Sequence, residues 1–393
     1  MKPSFITILS RALPFHGIGG MEMVVWDLSR ELVRLGYPVR LVTTSLPNSN
    51  GEFEQDGVRV VPLPQSPSGR YSPAWWKESC MYFERHCIDS TSVVLSVSAA
   101  AFGLLPIKHL VPDIKFVMQA HGTSLGEIIS KIRSRNLRSI LSTVRNLIWL
   151  PKDLAAYHRM DAVIAVGERV HQDLKKIPIR WALEEKKVHL ITNGIDTSVF
   201  RPDSAARKTL RSSWGIKERT PVVISASRLH AQKGLKNCIR AFANLLKKLP
   251  DAVYFIAGEG QERQALQKLA HELGIMHRIY FIGALDRMDL VDYLCAADVF
   301  LFLSEHVEGL PLNVLEALSC GLPTIVSAHL DLFPSDAIHM LPPRDAQSVG
   351  DCLFFLLTEK TRNRHNRLPS QFVLEYSARQ YIAFLSSICS LSK

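Results

Sequence analysis

Short apolar segments rich in β-branched residues alternate with longer segments of helical periodicity along the chain, and this alternation constrains the fold more than any other feature. SFITILS at 4–10 is followed by MEMVVWDLSRELVRLG at 21–36, whose apolar residues recur at helical spacing, and then by PVRLVTT at 38–44. This order predicts a β-α-β unit. Continuous apolar strands separated by helices are typical of parallel sheets covered on both faces.

The same order recurs toward the C-terminus and predicts further strands at KFVMQA, DAVIAVG, KVHLIT, PVVISAS, AVYFIAG, RIYFIG, DVFLFLS and PTIVS. One sheet of so many strands is unusual, and 393 residues exceed what a single core normally supports. We therefore predict an α/β chain with two doubly wound, Rossmann-like domains, residues 1–195 and 196–370, joined where NGIDTSVFRPD interrupts the pattern. Residues 371–393 are predicted to form a closing helix.

The charge of the chain points to an anionic partner. Lys and Arg number 47 against 37 Asp and Glu, a net charge of +10. Residues 128–152 contain six basic residues and no acidic one, and apolar residues recur there at helical spacing. A basic amphipathic helix of this kind predicts contact with an anionic membrane surface, although a soluble helix with a solvated cationic face has the same pattern. Aromatic residues do not interleave with these charges before Trp149, which argues against nucleic acid.

The cysteines and the apolar segments bear on location. Seven cysteines are scattered without a C-x-x-C pair, which fits a reduced compartment. The N-terminal apolar run is short and is interrupted by Arg11, so we expect no signal peptide. The weakly polar run from Val93 is too short to span a bilayer and contains Pro106. We expect a cytoplasmic protein. The basic segment adds the expectation of peripheral binding at the inner face of the cytoplasmic membrane.

The segment VEGLPLNVLEALSCGLPTIVS, residues 307–327, places Glu308 and Glu316 on either side of a predicted helix start. Pro311 suits the first helical position, and Gly309 leaves room for a ligand. The unpaired N–H groups of a first helical turn attract phosphate, and carboxylates accept hydrogen bonds from hydroxyls. A nucleotide-sugar, with phosphates in its middle and hydroxyls at both ends, fits this pattern. The alternative is a solvated Glu308 and a Glu316 on the exposed face of the helix.

Two cations follow the strand PVVISAS in the sequence SRLHAQKGL. Arg228 and Lys233 lie on a strand-to-helix connection, and in doubly wound folds ligands bind outside the carboxyl ends of the strands. Arg can bind a diphosphate in bidentate fashion, and Lys adds a point charge. The alternative is two ordinary surface cations.

Two further segments of the N-terminal half are candidates. GIGGME at 17–22 places Gly19 and Gly20 between the first strand and the first long helix, but it lacks the third glycine of a dinucleotide fingerprint. It is either a loop that faces a ligand or a structural turn. His121 directly follows the strand KFVMQA, where it could bind a sugar hydroxyl or simply pack.

Together these segments resemble the retaining glycosyltransferases of family four, which have the GT-B fold. The resemblance covers nearly the whole chain and rests, in this order, on GIGGME, AHGT, DAVIAVGERVHQDL, NGIDTSVFRP, ASRLHAQKGL, IAGEGQE and EGLPLNVLE followed by ALSCGLPTIVS. It implies two Rossmann-like domains facing a central cleft, with a nucleotide-sugar donor held mainly by 196–370 and an acceptor held mainly by 1–195. It also implies that the closing helix, from Ser377, returns toward the first domain. No separate cofactor is expected, and because no D-x-D motif stands at a strand end we expect metal independence.

The resemblance also implies roles at the departing nucleotide. Arg228 and Lys233 would bind the diphosphate, assisted by the backbone at Gly309 and Leu310. The leaving group is a nucleoside diphosphate, and these preorganised donors would stabilise its developing charge.

The remaining roles concern the sugars and the glycine loop. Glu316 would hold the ribose hydroxyls, and Glu308 would hold the transferred sugar. His121 would contact that sugar from the other domain, while Gly19 and Gly20 would let the glycine loop approach the phosphates. Because the sequence offers no evident nucleophile for the far face of the sugar, we expect front-side transfer with retention.

The function expected from the resemblance is transfer of a hexose or N-acetylhexosamine to a glycan or lipid-linked acceptor in bacterial cell-surface polysaccharide biosynthesis. Two rival functions share the architecture. A nucleotide-sugar epimerase would need a paired acid and base and no acceptor. A catalytically inactive membrane-bound scaffold would keep the fold without the chemistry.

Overall fold

The computed structural model describes residues 4–17, 20–47, 51–133, 143–306, 308–359, 364–389 and 391. They form two compact α/β units. Unit 1 comprises Met1–Gly194 together with Gln371–Lys393, and unit 2 comprises Ile195–Ser370. Each unit is built on one mainly parallel sheet, so the predicted pair of doubly wound domains is confirmed.

Unit 1 contains a sheet of strand order β3-β4-β2-β1-β5-β6-β7-β8. The strands are β1 (Phe5–Ser10), β2 (Val39–Thr44), β3 (Phe53–Gln55), β4 (Val58–Leu63), β5 (Thr91–Val97), β6 (Lys115–Ala120), β7 (Ala162–Ala165) and β8 (Val188–Leu190). All neighbours pair in parallel except β3 and β4, which are antiparallel. Alternate residues of β6 enter opposite cores, Met118 on one face and Val117 on the other. Burial on both faces explains the continuous apolar runs.

The helices between these strands cover the two faces of the sheet. They are α1 (Gly20–Arg34), α2 (Pro73–His86), α3 (Ser124–Arg133), α4 (Thr143–Arg159), α5 (Glu168–Leu174) and α6 (Ile179–Ala182). The predicted basic helix corresponds to parts of α3 and α4, but residues 134–142, including Arg135 and Arg138, lie outside the described residues. Within the described ranges, no helix combines the length and apolarity needed to cross a membrane.

Unit 2 contains a parallel sheet of strand order β11-β10-β9-β12-β13-β14. Its strands are β9 (Val222–Ala226), β10 (Val253–Ala257), β11 (Ile279–Gly283), β12 (Val299–Phe302), β13 (Thr324–Ser327) and β14 (Ile338–Leu341). Its helices are α7 (Ser204–Ser213), α8 (Leu235–Leu246), α9 (Arg263–Glu272), α10 (Arg287–Ala296), α11 (Leu312–Ser319) and α12 (Ala346–Thr358). Helix α8 buries Leu235, Cys238, Ile239, Phe242 and Leu245, the spacing of one helical face, in the core of this unit.

The C-terminal helix, α13 (Leu374–Ile388), belongs to unit 1. Its buried residues Ala378, Tyr381 and Leu385 pack into the same core as Ile6 and Ile8 of β1. The last helix therefore covers one face of the first sheet.

Four strands were not predicted from the sequence: β3, β4, β5 and β14. The β3–β4 hairpin is short and contains Pro62, which does not suit an interior strand. Strand β5 is continuous in sequence with the apolar 3-10 helix Ala100–Leu110, so periodicity did not separate them. Strand β14 pairs only with β13 among the described strands, at the edge of its sheet.

Candidate active site

The strand order of unit 2 creates a crevice between β9 and β12. The chain lays β9, β10 and β11 in one direction and then places β12, β13 and β14 on the other side of β9. Ligands of doubly wound sheets bind at such a reversal, outside the carboxyl ends of the strands. Arg228 and Lys233 follow β9, and Glu308 follows β12. The topology therefore brings these sequence candidates to one end of the sheet.

Lys233 and Glu308 form an ion pair at this point. Lys233 Nζ lies 2.8 Å from Glu308 Oε1 and 2.9 Å from Oε2. Ser304 Oγ donates a third hydrogen bond of 2.7 Å to Oε1. The side chains of the ion pair are 20% and 16% exposed, so they are shielded from water but still reachable. Lys233 Nζ also lies 5.4 Å from the ring centroid of Phe302, in cation–π range.

The backbone holds this pair in place from both strands. Lys233 ends a 3-10 turn, and Gly234 follows in the left-handed region at φ 66°. A Cβ at Gly234 would come 1.8 Å from the carbonyl oxygen of Leu303, so only glycine fits this approach. The carbonyl oxygen of Gln232, in the same turn, accepts a hydrogen bond from Glu305 N at 2.8 Å and lies 3.0 Å from Ser304 Oγ.

Counting only bonds between described residues, both members of the pair retain unused hydrogen-bonding capacity. An ammonium group has three donors, and Glu308 occupies two of those of Lys233. A carboxylate has about four acceptor positions, and Lys233 and Ser304 occupy three of those of Glu308. The pair can therefore bind an anion at Lys233 and a hydroxyl group at Glu308 without separating.

Helix α11 begins beside this pair. Pro311 is its N-cap residue and Leu312 is the first helical residue, so the prediction of Pro311 at the first helical position was wrong by one residue. Val314 N donates back to Pro311 O at 3.1 Å, whereas Leu312 N and Asn313 N donate to no described backbone acceptor. Such free N–H groups, together with the helix dipole, favour an anion.

The approach to this helix start is open. A Cβ placed on Gly309 would have no atom within 4 Å. Leu310 is partly buried beside it. Asn313 Nδ2 donates to Ala226 O at 2.8 Å, which anchors the first turn of α11 to the end of β9. Asn313 and Ser304 were not identified from the sequence, because neither follows a recognisable spacing.

Arg228 and Glu316 are the two other charged candidates of unit 2. Arg228 is exposed on the loop after β9 and forms no ion pair within the described part of the chain. Glu316 lies further along α11 and is partly buried. In the described ranges, no three His, Cys, Asp or Glu side chains are grouped as a metal site would require.

The described candidates of unit 1 are Gly20 and His121. Gly19 is outside the described residues, and Gly20 is the first residue of α1. His121 directly follows β6, and its Nε2 lies 3.0 Å from Gln119 Oε1. Burial of the ring lowers the pKa of His121 to about 4, so the imidazole is neutral at pH 7.

A second histidine, not identified from the sequence, lies just before the glycine loop. His16 Nδ1 accepts a hydrogen bond of 3.0 Å from Leu13 N, and its Nε2 lies 2.9 Å from Thr44 Oγ1. Burial also lowers the pKa of His16. This neutral ring ties the loop after β1 to the end of β2.

Unit 1 also contains a cavity of about 200 Å³ near the ends of β5 and β6. Asp153 lies in its wall, and burial raises the pKa of this carboxyl group against hydrogen bonds from Ser124. Among the described residues that line the cavity there is no Lys or Arg. The aromatic part of the wall consists of Tyr71, Phe102, Trp149 and Tyr157.

Comparison with known proteins gives two family matches that divide at the boundary between the units. The model described as Glycosyltransferase Family 4 matches residues 18–199, and the model described as Glycosyl transferases group 1 matches residues 206–337. Among solved structures, sucrose-phosphate synthase from Thermosynechococcus elongatus superimposes with a TM-score of 0.78 at 19% identity, covering 98% of this chain and 99% of that one.

Two curated relatives show similarity at the sequence level. The GDP-mannose-dependent alpha-(1-6)-phosphatidylinositol monomannoside mannosyltransferase of Mycolicibacterium smegmatis is 36% identical over 138 residues, 34% of this chain and 36% of that enzyme. N-acetyl-alpha-D-glucosaminyl L-malate synthase of Bacillus anthracis is 24% identical over 315 residues, 79% of this chain and 76% of that enzyme. The match thus spans little more than a third of the mannosyltransferase. The chain belongs to the family-four type of glycosyltransferases and has their GT-B fold.

Proposed function

We propose that this protein is a retaining glycosyltransferase that moves a hexose or N-acetylhexosamine from a nucleotide-sugar to a glycan or lipid-linked acceptor, in bacterial cell-surface polysaccharide biosynthesis. The observation that carries the proposal is the Lys233–Glu308 pair at the strand reversal of unit 2, which has one cationic donor and one carboxylate acceptor left for a ligand. A sugar diphosphate supplies the matching groups, an anion next to hydroxyls.

The donor groups divide between the diphosphate and the sugar. Arg228, Lys233 and the N–H groups at Gly309 and Leu310 bind the phosphates. As the bond to the sugar breaks, negative charge accumulates on the leaving diphosphate. Fixed donors stabilise this charge without having to reorganise. They supply the positive charge that would otherwise come from a metal ion, so the proposed reaction is metal independent.

The carboxylates and the histidine bind the two sugars. Glu308 accepts a hydrogen bond from a hydroxyl of the transferred sugar, and Glu316 accepts from the ribose. His121, neutral at pH 7, contacts the transferred sugar. Gly20, at the start of α1, is proposed to let the backbone approach the phosphates, the role that the sequence also predicts for Gly19.

Retention follows in this proposal from attack on the face that the leaving group vacates. The acceptor hydroxyl loses its proton to the departing phosphate oxygen as the new bond forms. The anomeric configuration of the first product, followed by proton NMR, tests this step. An inverted product, or a trapped covalent sugar adduct of the protein, would contradict it.

The cavity of unit 1 is the proposed place for an uncharged part of the acceptor. Aromatic walls stack on the apolar face of a sugar ring, and the Asp153 carboxyl group can bind its hydroxyls. The lack of cations in the described wall, in a chain of net charge +10, favours a neutral group over a phosphate.

The basic segment 128–152 supports a proposed peripheral contact with an anionic membrane. Each cation near such a surface contributes about 1 kcal/mol. The double variant R135E/R138E should therefore bind vesicles of phosphatidylglycerol more weakly than the parent protein in a sedimentation assay. Equal binding would remove the membrane from the proposal.

A donor screen tests the function as a whole. The protein is incubated with UDP-, GDP- and ADP-sugars, with and without candidate acceptors, and nucleoside diphosphate release is measured. The proposal expects one donor to release nucleotide faster when acceptor is present. A donor converted to its epimer without acceptor would support the epimerase, and no turnover or nucleotide binding would support the inactive scaffold.

A further inference from the structure

His121 is the end of a chain of hydrogen bonds that begins on the C-terminal helix. Val117, Gln119 and His121 alternate with Met118 and Ala120, so their side chains share the face of β6 that packs against α13. Gln119 Nε2 donates to Tyr381 Oη at 2.7 Å, and Gln119 Oε1 lies 3.0 Å from His121 Nε2. Gln119 and Tyr381 are each 1% exposed, so water does not compete for these groups.

The chemistry of the amide fixes the proton on the histidine. A carboxamide oxygen can only accept hydrogen bonds, so the His121 nitrogen that faces it must carry the proton. A neutral imidazole has one N–H, which leaves Nδ1 as an acceptor. In the structure the amide nitrogen donates to the Tyr381 hydroxyl oxygen, 262 residues away in sequence, and the amide oxygen is thereby turned toward His121.

We propose that Tyr381, acting through Gln119, positions His121 and holds it as the tautomer protonated at Nε2, with Nδ1 left to accept a hydrogen bond from a sugar hydroxyl. The sugar contact rests on the proposed function, whereas the positioning of the ring does not. Tyr381 is a positioning residue and touches no substrate. The C-terminal helix is therefore part of the catalytic apparatus of unit 1, and it does more than cover the sheet.

Three substitutions separate positioning from mere packing. Tyr381→Phe keeps the ring and removes the oxygen that holds the amide, so Gln119 can turn its NH₂ group toward His121 and move the proton to Nδ1. Gln119→Leu removes the acceptor altogether. Gln119→Glu keeps an acceptor at the same place and should preserve the Nε2-protonated tautomer. Tyr376→Phe on the same helix is the matched control, because Tyr376 is 45% exposed.

The decisive measurement is the tautomer of His121 in ¹⁵N-labelled full-length protein, read from two-bond ¹H–¹⁵N spectra at neutral pH. We expect Nε2–H in the parent protein, Tyr376→Phe and Gln119→Glu, and a mixture or Nδ1–H in Tyr381→Phe and Gln119→Leu. Nδ1–H in the parent protein would overturn the proposal, as would an unchanged tautomer in Tyr381→Phe. Thermal unfolding checks that each variant is folded.

Kinetics adds a second readout once a donor is known. Tyr381→Phe should lower kcat roughly three- to tenfold, the range of one hydrogen bond, with little change in KM for the donor. The double variant Tyr381→Phe/Gln119→Leu should have the same kcat as Gln119→Leu alone, because both substitutions act through the same hydrogen bonds to His121. Additive losses would contradict the relay. If no sugar is transferred at all, the proposed function fails while the spectra still decide the positioning.

Discussion

The two ends of the unit 2 sheet both carry ion pairs, but the pairs differ in what surrounds them. Before β12, the carboxylate of Asp298 is 8% exposed and accepts hydrogen bonds from Arg207 and Arg364 at 3.0 and 2.8 Å and from Val222 N at 2.9 Å. Arg211, 2% exposed, donates to the carbonyl oxygens of Ala296 and Lys217. After β12, the Lys233–Glu308 pair has fewer partners and more exposure.

We interpret this difference as one between a structural cluster of charges and a proposed binding site. The arginines at the amino end neutralise Asp298 and bind the last carbonyl groups of α10, so they join two helices to the sheet. These arginines donate their hydrogen bonds to carboxylate and carbonyl oxygens of the protein. At the carboxyl end, Lys233 and Glu308 each have a bonding position left, next to an open helix start. We therefore base the proposed donor site on the hydrogen-bonding positions left at Lys233 and Glu308 among the described residues, and not on the presence of charge alone.

The largest effect should follow from removing the carboxylate of the amino-end cluster. Asp298→Ala removes the buried anion beside Arg207 and Arg211, which keep the exposed Glu218 as a partner, and should lower the free energy of unfolding by about 3–5 kcal/mol. Urea denaturation measures it. Asp351→Ala, which breaks an exposed pair with Lys248, should cost less than about 1 kcal/mol. A stable Asp298→Ala protein that has lost donor binding would reverse the assignment of the two ends.

The next largest effect concerns the exposed cation at the carboxyl end. Arg228→Ala should remove about 2–4 kcal/mol of transition-state stabilisation, by analogy with a deleted oxyanion donor, while leaving stability nearly unchanged. The measurements are kcat/KM and urea denaturation. Lys236→Ala is the control, since Lys236 is a 45% exposed neighbour that pairs with Glu262. Turnover close to that of the parent protein would remove Arg228 from the site.

A smaller effect on stability is expected from His121 of unit 1, whose side chain is neutral at pH 7. The pKa of His121 is lowered from about 6.5 in the unfolded chain to about 4 in the folded one. Between pH 4 and pH 6.5 the unfolded chain binds more protons at His121 than the folded chain does. The contribution of His121 to the free energy of unfolding is therefore fully present above pH 6.5 and decreases as the pH falls toward 4. The contribution of His121 should approach a slope of about 1.4 kcal/mol per pH unit.

The matched variant is His121→Asn, which cannot titrate. Urea denaturation from pH 7 to 4 should show a shallower loss of stability in this variant than in the parent protein, since the other histidines contribute equally to both. Parallel curves would mean that His121 titrates near its ordinary pKa and is not held neutral.

The smallest effect is expected from removing metal ions. Because Arg228, Lys233 and the helix N–H groups are proposed to neutralise the leaving diphosphate, EDTA should change the transfer rate less than twofold. The assay compares EDTA-treated protein with and without added Mg²⁺ or Mn²⁺. A rate that collapses in EDTA and recovers with Mg²⁺ would show that side-chain charge alone does not suffice at the carboxyl end.

The sequence predicted most of the parallel strands and the two-sheet architecture, because strands buried on both faces leave continuous apolar runs. It did not predict the β3–β4 hairpin, where Pro62 lies within β4, or β14, which lies at the edge of its sheet. Glu308, Arg228 and Lys233 were found because they follow recognisable strands at the ends where ligands bind.

The contacts between these residues could not be predicted, because they depend on distances in space. The spacing of 75 residues between Lys233 and Glu308 says nothing of an ion pair until the strand order places β9 beside β12. The bond between Gln119 and Tyr381 depends in the same way on the packing of α13 against β6. Ser304 and Asn313 are polar residues of a common kind, and only their positions show that Ser304 bonds to Glu308 and that Asn313 anchors the start of α11.

Titration of nucleoside diphosphates tests the central claim, that the Lys233–Glu308 end of unit 2 is the donor site, most directly. Isothermal calorimetry with UDP, GDP and ADP is performed on the parent protein, Lys233→Ala and Lys236→Ala. We expect one nucleotide to bind the parent protein and Lys236→Ala alike, and to bind Lys233→Ala at least roughly tenfold more weakly, the loss of one charge-assisted hydrogen bond. Equal affinity for the three proteins would contradict the claim.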